Sequence, residues 1–541
     1  MLNLEIKFNN HWLSHLPLNV ISGIEGNYLD AYVIALEGWR RGLVLKWHHK
    51  DSEPFKHIKK WSVNTPGQLF SLHTNEKSHY FFRTRGDKVS TTAVEQGMDK
   101  EVTKKMLKSS GVPVPEGRQF TITSEADEIL QYISRLGYPV VIKPVDGSFG
   151  RGVFSDIRSE AEVYRALDYV QNSLNENKVI VEKHISGLDY RIYVVGDKVA
   201  GAILRVPPNV IGDGVNSIYT LIEKKNKKRR LNPRLISCPI LLNQETIDYL
   251  KRYGYTLQSI PKQGEVIYLN DKANVSIGGD PIDVLDDLSA DIKITAINAL
   301  KAIPNFPHGA VDIIVDRENK NDGYVIELNP TAQIGGILFP LKGQSRDVPS
   351  LIIDYYFPET KGYERKDNAY FDFSAALRPL MDNAATVTQM ISLPINDFQS
   401  KKFFAYGDVD ELTFHQTLKK EAFKRDLIGA IKLIDKNCLS ITLAGPLTCL
   451  DEYKTDVLEA NERLTTIKEE SNTTPVKVGF EIEGAERNIR HEIKEKQKRI
   501  ANLKFERAKL RSSYQQMLNS TSWKITYPIR KVSGIFKKIL K

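Results

Sequence analysis

Apolar positions along the chain switch between a helical and a strand period, and the switches predict its elements. AYVIALEGWRRGLVLKW (31–47) reads as a helix ending at Arg40–Arg41–Gly42 and passing into a short strand. Asp99 caps a helix, DKEVTKKMLKSSG, that Gly111 and the following VPVP turn stop. A helix over 125–136 leads into the strand YPVVIKPV and a glycine-rich loop, DGSFGRG (146–152). Further strands are predicted at KVIVEKHI, DYRIYVVGDKVAGAILRV, HGAVDIIVD and GYVIELN, with a helix at 286–302 among them. Several neighbours read as hairpins, so the expected class is α+β with mixed sheets.

The pattern also suggests boundaries. A Pro/Asp/Asn-rich stretch near 358–372 and the segment KEESNTTPVK (468–477) read as linkers. Residues 400–460 form a β-α-β-β pattern. Beyond 481, positions 489, 493, 496, 500, 503, 507, 510, 514 and 517 step by four and three and are apolar at seven of nine, which predicts a coiled coil. The expected division is 1–97, 98–358, a linker 359–399, 400–467, a linker 468–480, the coiled coil 481–519 and a basic aromatic tail 520–541.

Composition changes this picture at one end only. The chain has 541 residues, 41% hydrophobic and 26% charged, which excludes a wholly disordered, collagen-like or membrane-embedded chain. Its net charge is +9, but residues 482–541 alone carry +11, leaving −2 on residues 1–481. The basic excess belongs to the tail, where Trp523, Tyr527 and Phe536 interleave with lysines and arginines. Three cysteines without CxxC spacing point to a reducing compartment. No signal-peptide pattern is read at the N-terminus, so a cytoplasmic protein is expected, held at the inner membrane face by its tail. The coiled coil predicts a homo-oligomer.

Chemistry concentrates at two places. Lys143 lies inside the apolar strand YPVVIKPV, where an unpaired ammonium costs several kcal/mol, so it needs an anion. The adjacent glycines can turn backbone N–H groups toward a phosphate; the competing reading is a tight turn beside a snorkelling lysine. In HGAVDIIVDRENKNDGYVIELNP, Asp312 and Glu327 interrupt apolar runs, and Asn329 follows Glu327 on the same strand face. Two carboxylates and an amide oxygen across a hairpin supply the hard ligands Mg²⁺ prefers; exposed edge-strand acids are the alternative. The run LIEKKNKKRRLNPR (221–234) reads as a solvated lid face before a site for a polyanion, and without aromatics it argues against nucleic acid. Arg83 and Arg85 in FFRTRGDKVS are candidate carboxylate or phosphate contacts, with surface arginines as the expected reading.

Residues 98–358 resemble an ATP-grasp ligase domain, similar to that of cyanophycin synthetases and bifunctional glutathione synthetases. The phrases that carry the resemblance are MDKEVTKKMLKSSGVPVPEG, PVVIKPVDGSFGRGV, VIVEKHISGLDYRIYVV, LRVPPNVIGDGVNSIYTLIEKKN, NVSIGGDPIDV and GYVIELNPTAQIGG. The resemblance implies an ATP-grasp fold preceded by an α/β pre-grasp domain at 1–97, with ATP and one or two Mg²⁺ ions. It places Lys100 and Lys143 on the ATP phosphates, under a loop of Gly147, Ser148, Phe149, Gly150 and Gly152. Glu182, Lys183 and Ile185 would meet adenine and Asp189 the ribose. Arg191 would meet phosphate or substrate, and Arg205 an acyl phosphate. Asp312, Glu327 and Asn329 would bind the metal. The implied reaction joins a carboxylate to an amine, with release of ADP and phosphate. The rival reading is a nucleotide-binding scaffold that has lost activity and works through its coiled coil.

Residues 403–453 weakly resemble an acylphosphatase domain of ferredoxin-like fold. His415 and Leu433 stand where that family has arginine and asparagine, and Glu411 and Thr413 replace loop glycines. The expectation is a module without hydrolase activity. The phrase STSWKITYPIRKV is similar to the ends of bacterial cell-surface polysaccharide enzymes, which suggests a glycan-precursor carboxylate as substrate; peptide ligation is the other enzymatic option.

Overall fold

The computed structural model describes residues 12–145, 152–317, 319–363, 365–393 and 397–483, with isolated positions between 499 and 511. Most of the expected coiled coil, the basic tail and most of the glycine loop lie outside the described residues. The chain divides at Phe398 into two units.

The first unit holds three sheets of four or five strands and a smaller two-stranded one. Strands β1 (Val44–His48), β2 (Leu69–His73), β3 (Ser78–Phe82) and β4 (Arg85–Gly86) run antiparallel in order beside the helix Gly26–Arg40. Twelve of that helix's fifteen residues are buried, because aromatic and aliphatic side chains occupy its whole circumference. The covering on one side comes from far along the sequence. Phe371 packs on Tyr32 and Trp39 at ring distances of 5.1 and 5.4 Å, and Val387–Gln389 pairs with β1 as a further strand. The stretch expected as a linker at 359–399 therefore belongs to this sheet and to the helix Phe373–Met381 beside it.

The second sheet has the order β5-β8-β6-β7, built from β5 (Gly117–Thr121), β6 (Val140–Pro144), β7 (Phe154–Ile157) and β8 (Lys178–Lys183). Helices Ile122–Leu136 and Glu160–Asp168 cover one face through Ile129, Ile133, Val163 and Leu167. The third sheet contains β9 (Gly187–Val195), β10 (Lys198–Val206), β13 (Asp280–Asp283), β14 (His308–Asp316) and β15 (Gly323–Asn329), ordered β13-β10-β9-β14-β15. The expected hairpins β9–β10 and β14–β15 both form. Alternate residues Ile192, Val194, Val311 and Ile313 enter one core with helix Ala290–Lys301, leaving the opposite face for polar side chains.

Between β10 and β13, the pair β11 (Asn209–Ile211) and β12 (Val266–Tyr268) makes a small separate core with Ile218, Ile222 and Leu250. Here the basic run 221–234 divides: Lys224, Lys227, Lys228 and Arg230 are exposed, as expected of a solvated face, and the other three are not. Lys225, Arg229 and Arg234 are buried, and Lys225 and Arg229 both pair with Asp280 at 2.6 and 2.7 Å.

In the second unit, β16 (Phe398–Gly407), β17 (Ile428–Asp435), β18 (Cys438–Pro446) and β19 (Leu464–Ser471) are ordered β19-β16-β18-β17, the strand order of a βαββαβ ferredoxin-like unit. β20 (Phe480–Glu483) adds parallel to β17, so the segment expected as a linker at 468–480 begins in β19 and ends in β20, and residues 481–483, expected to open the coiled coil, are strand. Glu411, in the expected phosphate loop, pairs with Arg463 at 2.5 Å, and His415 Nε2 lies 2.7 Å from the Val409 carbonyl oxygen. No helix among the described residues is long and apolar enough to cross a membrane.

Candidate active site

The polar face of the β9–β15 sheet gathers most of the acids and arginines singled out in the sequence. Register places Arg191 beside Asp312 and Asp312 beside Glu327, with Asn329 opposite Ala310 one step along. Arg191 donates Nε and Nη2 to the two oxygens of Asp312 at 2.8 Å each, a bidentate pair. Arg205, on β10, donates to Asp189 Oδ1 from Nε and Nη2 at 3.0 and 2.5 Å, and its Nη2 lies 3.0 Å from Asp312 Oδ2.

Charge does not balance in this group. Asp189, Asp312 and Glu327 face two guanidiniums, an excess of one negative charge. Burial opposes ionisation of Asp312, which is 2% exposed, but Arg191 and Arg205 outweigh it and hold its carboxyl below the usual range. Asp189 moves up, since burial outweighs its shared hold on Arg205. The Arg205 guanidinium is pushed up: burial opposes its charge, but Asp312 and Asp189 prevail. Glu327 is raised by burial and by Asp312. Its side chain is exposed on the edge strand β15, as the alternative reading had it, so solvent weakens that push. Among the described residues Glu327 makes no ion pair within 4.0 Å, and it lines a cleft with Lys100, whose charge opposes the rise.

The cleft is lined by Lys100, Lys104, Lys143 and Glu182 as well as Glu327. On β6, Val140, Ile142 and Pro144 face the core, which turns Lys143 to the other side. The anion Lys143 requires is Glu182: Nζ lies 2.7 Å from Oε2, while Lys104 Nζ lies 2.7 Å from Oε1. Burial pushes the Glu182 carboxyl up, and the two lysines more than reverse the effect. Lys104 escaped the sequence reading, although it lies four residues after Lys100 and so on the same helix face. Asp99 caps that helix as expected, accepting from the Glu101 and Val102 amides at 3.0 Å each. Lys100 Nζ reaches the Pro144 and Val145 carbonyls at 3.3 and 3.2 Å, at the threshold of the glycine loop.

Other expected contacts differ. Glu182 bridges lysines rather than pointing at an open adenine pocket. Lys183 Nζ donates to the carbonyls of Leu136, Gly137 and Tyr138 at 3.4, 3.0 and 3.3 Å, closing the end of helix 122–136. Asp189 is committed to Arg205. Ile185 is half-buried in the connection between β8 and β9. Gly147, Ser148, Phe149 and Gly150 lie outside the described residues. Gly152 has φ +74°, a left-handed conformation that favours glycine.

The donor set fits a nucleotide with a divalent cation. Asp312, Glu327 and Asn329 offer hard oxygens on two paired strands, and three lysines line the same cleft as Glu327. A sheet carrying lysines next to a glycine loop, set against an acidic antiparallel hairpin, is the arrangement of an ATP-grasp domain. Residues 97–216 match the model of the RimK-like ATP-grasp domain, and the chain carries that domain. It is 36% identical over 284 residues to cyanophycin synthetase of Trichormus variabilis, covering 51% of this chain and 31% of the relative. To the glutathione biosynthesis bifunctional protein of Clostridium perfringens it is 32% identical over 302 residues, covering 53% and 38%. A solved bifunctional glutathione synthetase from Pasteurella multocida aligns at 29% identity and a TM-score of 0.42, over 54% of this chain and 41% of that one. The matches span about a third of the length of these curated relatives.

Proposed function

We propose that the protein is an ATP-dependent ligase that joins a carboxylate to an amine. The observation that supports this best is the single cleft in which Lys100, Lys104 and Lys143 face Glu327. ATP is the phosphoryl donor: the substrate carboxylate attacks its γ-phosphorus, giving an acyl phosphate and ADP, and the amine then displaces phosphate to form the amide. Little covalent chemistry falls on the protein, and positioned charge carries the catalysis.

Lys100 and Lys143 bind the phosphates beneath the loop that runs to Gly152. For Lys143 this means exchanging Glu182 for a phosphate oxygen, with Lys104 left to hold Glu182. Glu182, Lys183 and Ile185 border the base, and Asp189 takes the ribose once Arg205 turns to the acyl phosphate. Arg191 keeps Asp312 ionised and oriented. Asp312, Glu327 and Asn329 would hold Mg²⁺, which when bound neutralises charge developing on the phosphates.

Context supports narrower readings. The enzyme amidates a uronic acid or joins an amino acid to a glycan precursor in a bacterial cell-surface pathway, peptide ligation being the other option, with the coiled coil forming a homo-oligomer and the basic aromatic tail resting on an anionic membrane face. The ferredoxin-like unit lacks acyl phosphate hydrolysis, in keeping with Glu411 paired in its loop. The test is ADP release upon addition of pooled amino acids and uronic acids to the full chain. Stimulated release is expected; nucleotide binding with no stimulated release across a broad panel would instead favour a scaffold acting through its coiled coil.

A further inference from the structure

Arg83 and Arg85 flank the turn between β3 and β4, and both depart from the surface placement expected of them: they are 7% and 3% exposed. Their partners are neutral. Arg83 donates Nε to Gln68 Oε1 at 2.7 Å and Nη2 to the Trp61 carbonyl at 3.3 Å. Arg85 donates Nη2 to the Lys59 carbonyl and stacks over Trp61 and Phe82 at 5.6 and 5.5 Å. Its buried Nη1 has no hydrogen-bond partner. Neither guanidinium has a carboxylate within 4.0 Å among the described residues, whereas the buried Arg40, Arg41, Arg205 and Arg229 each have one. Burial pushes Arg85 down to about 10; Tyr356 opposes this and the neighbouring Arg83 adds to it. The turn is also strained, with Arg83 at φ +57°.

The turn between them is tied to the loop after β15. Thr84, between the two arginines, donates Oγ1 to the Ala332 carbonyl at 3.0 Å, in the loop that leaves β15 just after Asn329. That loop is fixed from both sides. Asp30 Oδ1 accepts from the Ile334 and Gly335 amides at 3.0 and 3.2 Å, while Gln333 accepts from Arg234 at 2.6 Å and donates to Asn27 at 2.7 Å. Asp30, whose charge acts on Arg83 from beyond 4.0 Å, gives Oδ1 to the loop.

The geometry points to Arg83 and Arg85 as the receptor for an oxyanion of the substrate, a carboxylate or a phosphate other than the carboxylate being activated. Planar forks stacked on aromatic rings are already ordered, so an incoming oxyanion supplies the missing charge without reorganising them. The substrate is then at least dianionic. This rests on the cleft being the ligase site.

In the full-length protein, glutarate and inorganic phosphate are titrated separately at constant ionic strength, with neutral glutaramide as control. Glutarate or phosphate should bind where glutaramide does not, and the stronger of the two identifies the group recognised. Arg85→Gln and Arg83→Gln should each weaken that binding at least tenfold. Should Arg85→Gln fail to fold, Arg85→Lys, which keeps the charge and loses the fork, should show an intermediate loss. No binding by either probe, or binding that all three variants retain, overturns the assignment. ATP–Mg²⁺ binding is measured on the same samples. Its failure in the wild-type protein would refute the ligase reading, while the anion receptor would stand or fall on the two titrations.

Discussion

Asp280 and Asp312 are both buried strand carboxylates, each 2% exposed and each held by two cationic side chains, yet they are surrounded differently. Around Asp280, Lys225 and Arg229 leave a net positive charge, and the surplus donors end on protein. Lys225 also donates to Asn209 at 2.9 and 3.1 Å, and Arg229 to the carbonyls of Cys238 and Gly279. Around Asp312, a further acid, Glu327, makes no ion pair within 4.0 Å among the described residues and opens into a cleft. A closed cluster with its charges satisfied locks the β11–β12 subdomain against the main sheet. An open cluster with one acid unpaired is suited to a cation. Burial and ion pairing alone do not separate structure from function; an unpaired acid with access to solvent does.

Four experiments test this contrast. Asp280→Ala leaves two buried cations uncompensated and should cost about 3–5 kcal/mol of stability, read by urea unfolding. ADP release per folded molecule should survive; its loss would place Asp280 in the chemistry. Glu327→Gln should do the reverse, lowering substrate-stimulated ADP release by about 10²–10³ with the unfolding midpoint unchanged. Equal turnover would sink the metal assignment.

A third carboxylate, Asp30, calibrates the comparison because it is buried with one oxygen lacking a partner. Burial raises it to about 6 from 3.8. The folded state therefore binds more protons than the unfolded state between these values, and stability falls as pH rises through that window, by roughly 2–3 kcal/mol. Relative to wild type, Asp30→Asn should gain stability between pH 3.5 and pH 7; a difference independent of pH would show that Asp30 is not carrying this linkage. The smallest effect is expected from Lys104→Met, which frees Glu182 to hold Lys143 alone and should weaken ATP binding about tenfold, or ~1.4 kcal/mol. Tighter binding would mean that Lys104 competes with the nucleotide.

Local features of this site were legible in the sequence because local rules govern them. Asp99 capped its helix, the β14–β15 hairpin brought Asp312 opposite Glu327, and Lys143 had to find an anion. Partner identity was not legible. Glu182 meets Lys143 only through the β6–β8 register, and Lys225 and Arg229 find Asp280 more than fifty residues away, so a run rich in lysine and arginine looked solvated. Arg83 and Arg85 sit in a charged hairpin turn, where surface placement is the ordinary outcome. Nothing local announces the aromatic rings and the loop after Asn329 that enclose them. The segment after 358 is rich in turn-forming residues, and its strand of three residues is too short to show a period.

That segment has a consequence for the order in which the chain acquires structure. Trp39 donates its indole N–H to the Ile391 carbonyl at 2.7 Å, across 352 positions of sequence. The helix Gly26–Arg40 thus leaves the ribosome early, with a hydrophobic flank whose natural cover is synthesised hundreds of residues later. Contacts of such separation are slow to form, and the exposed flank is a hazard in the interval. The first unit should therefore become protease-resistant only after residue 391 has been made, and nascent chains ending between 97 and 358 should depend on chaperones.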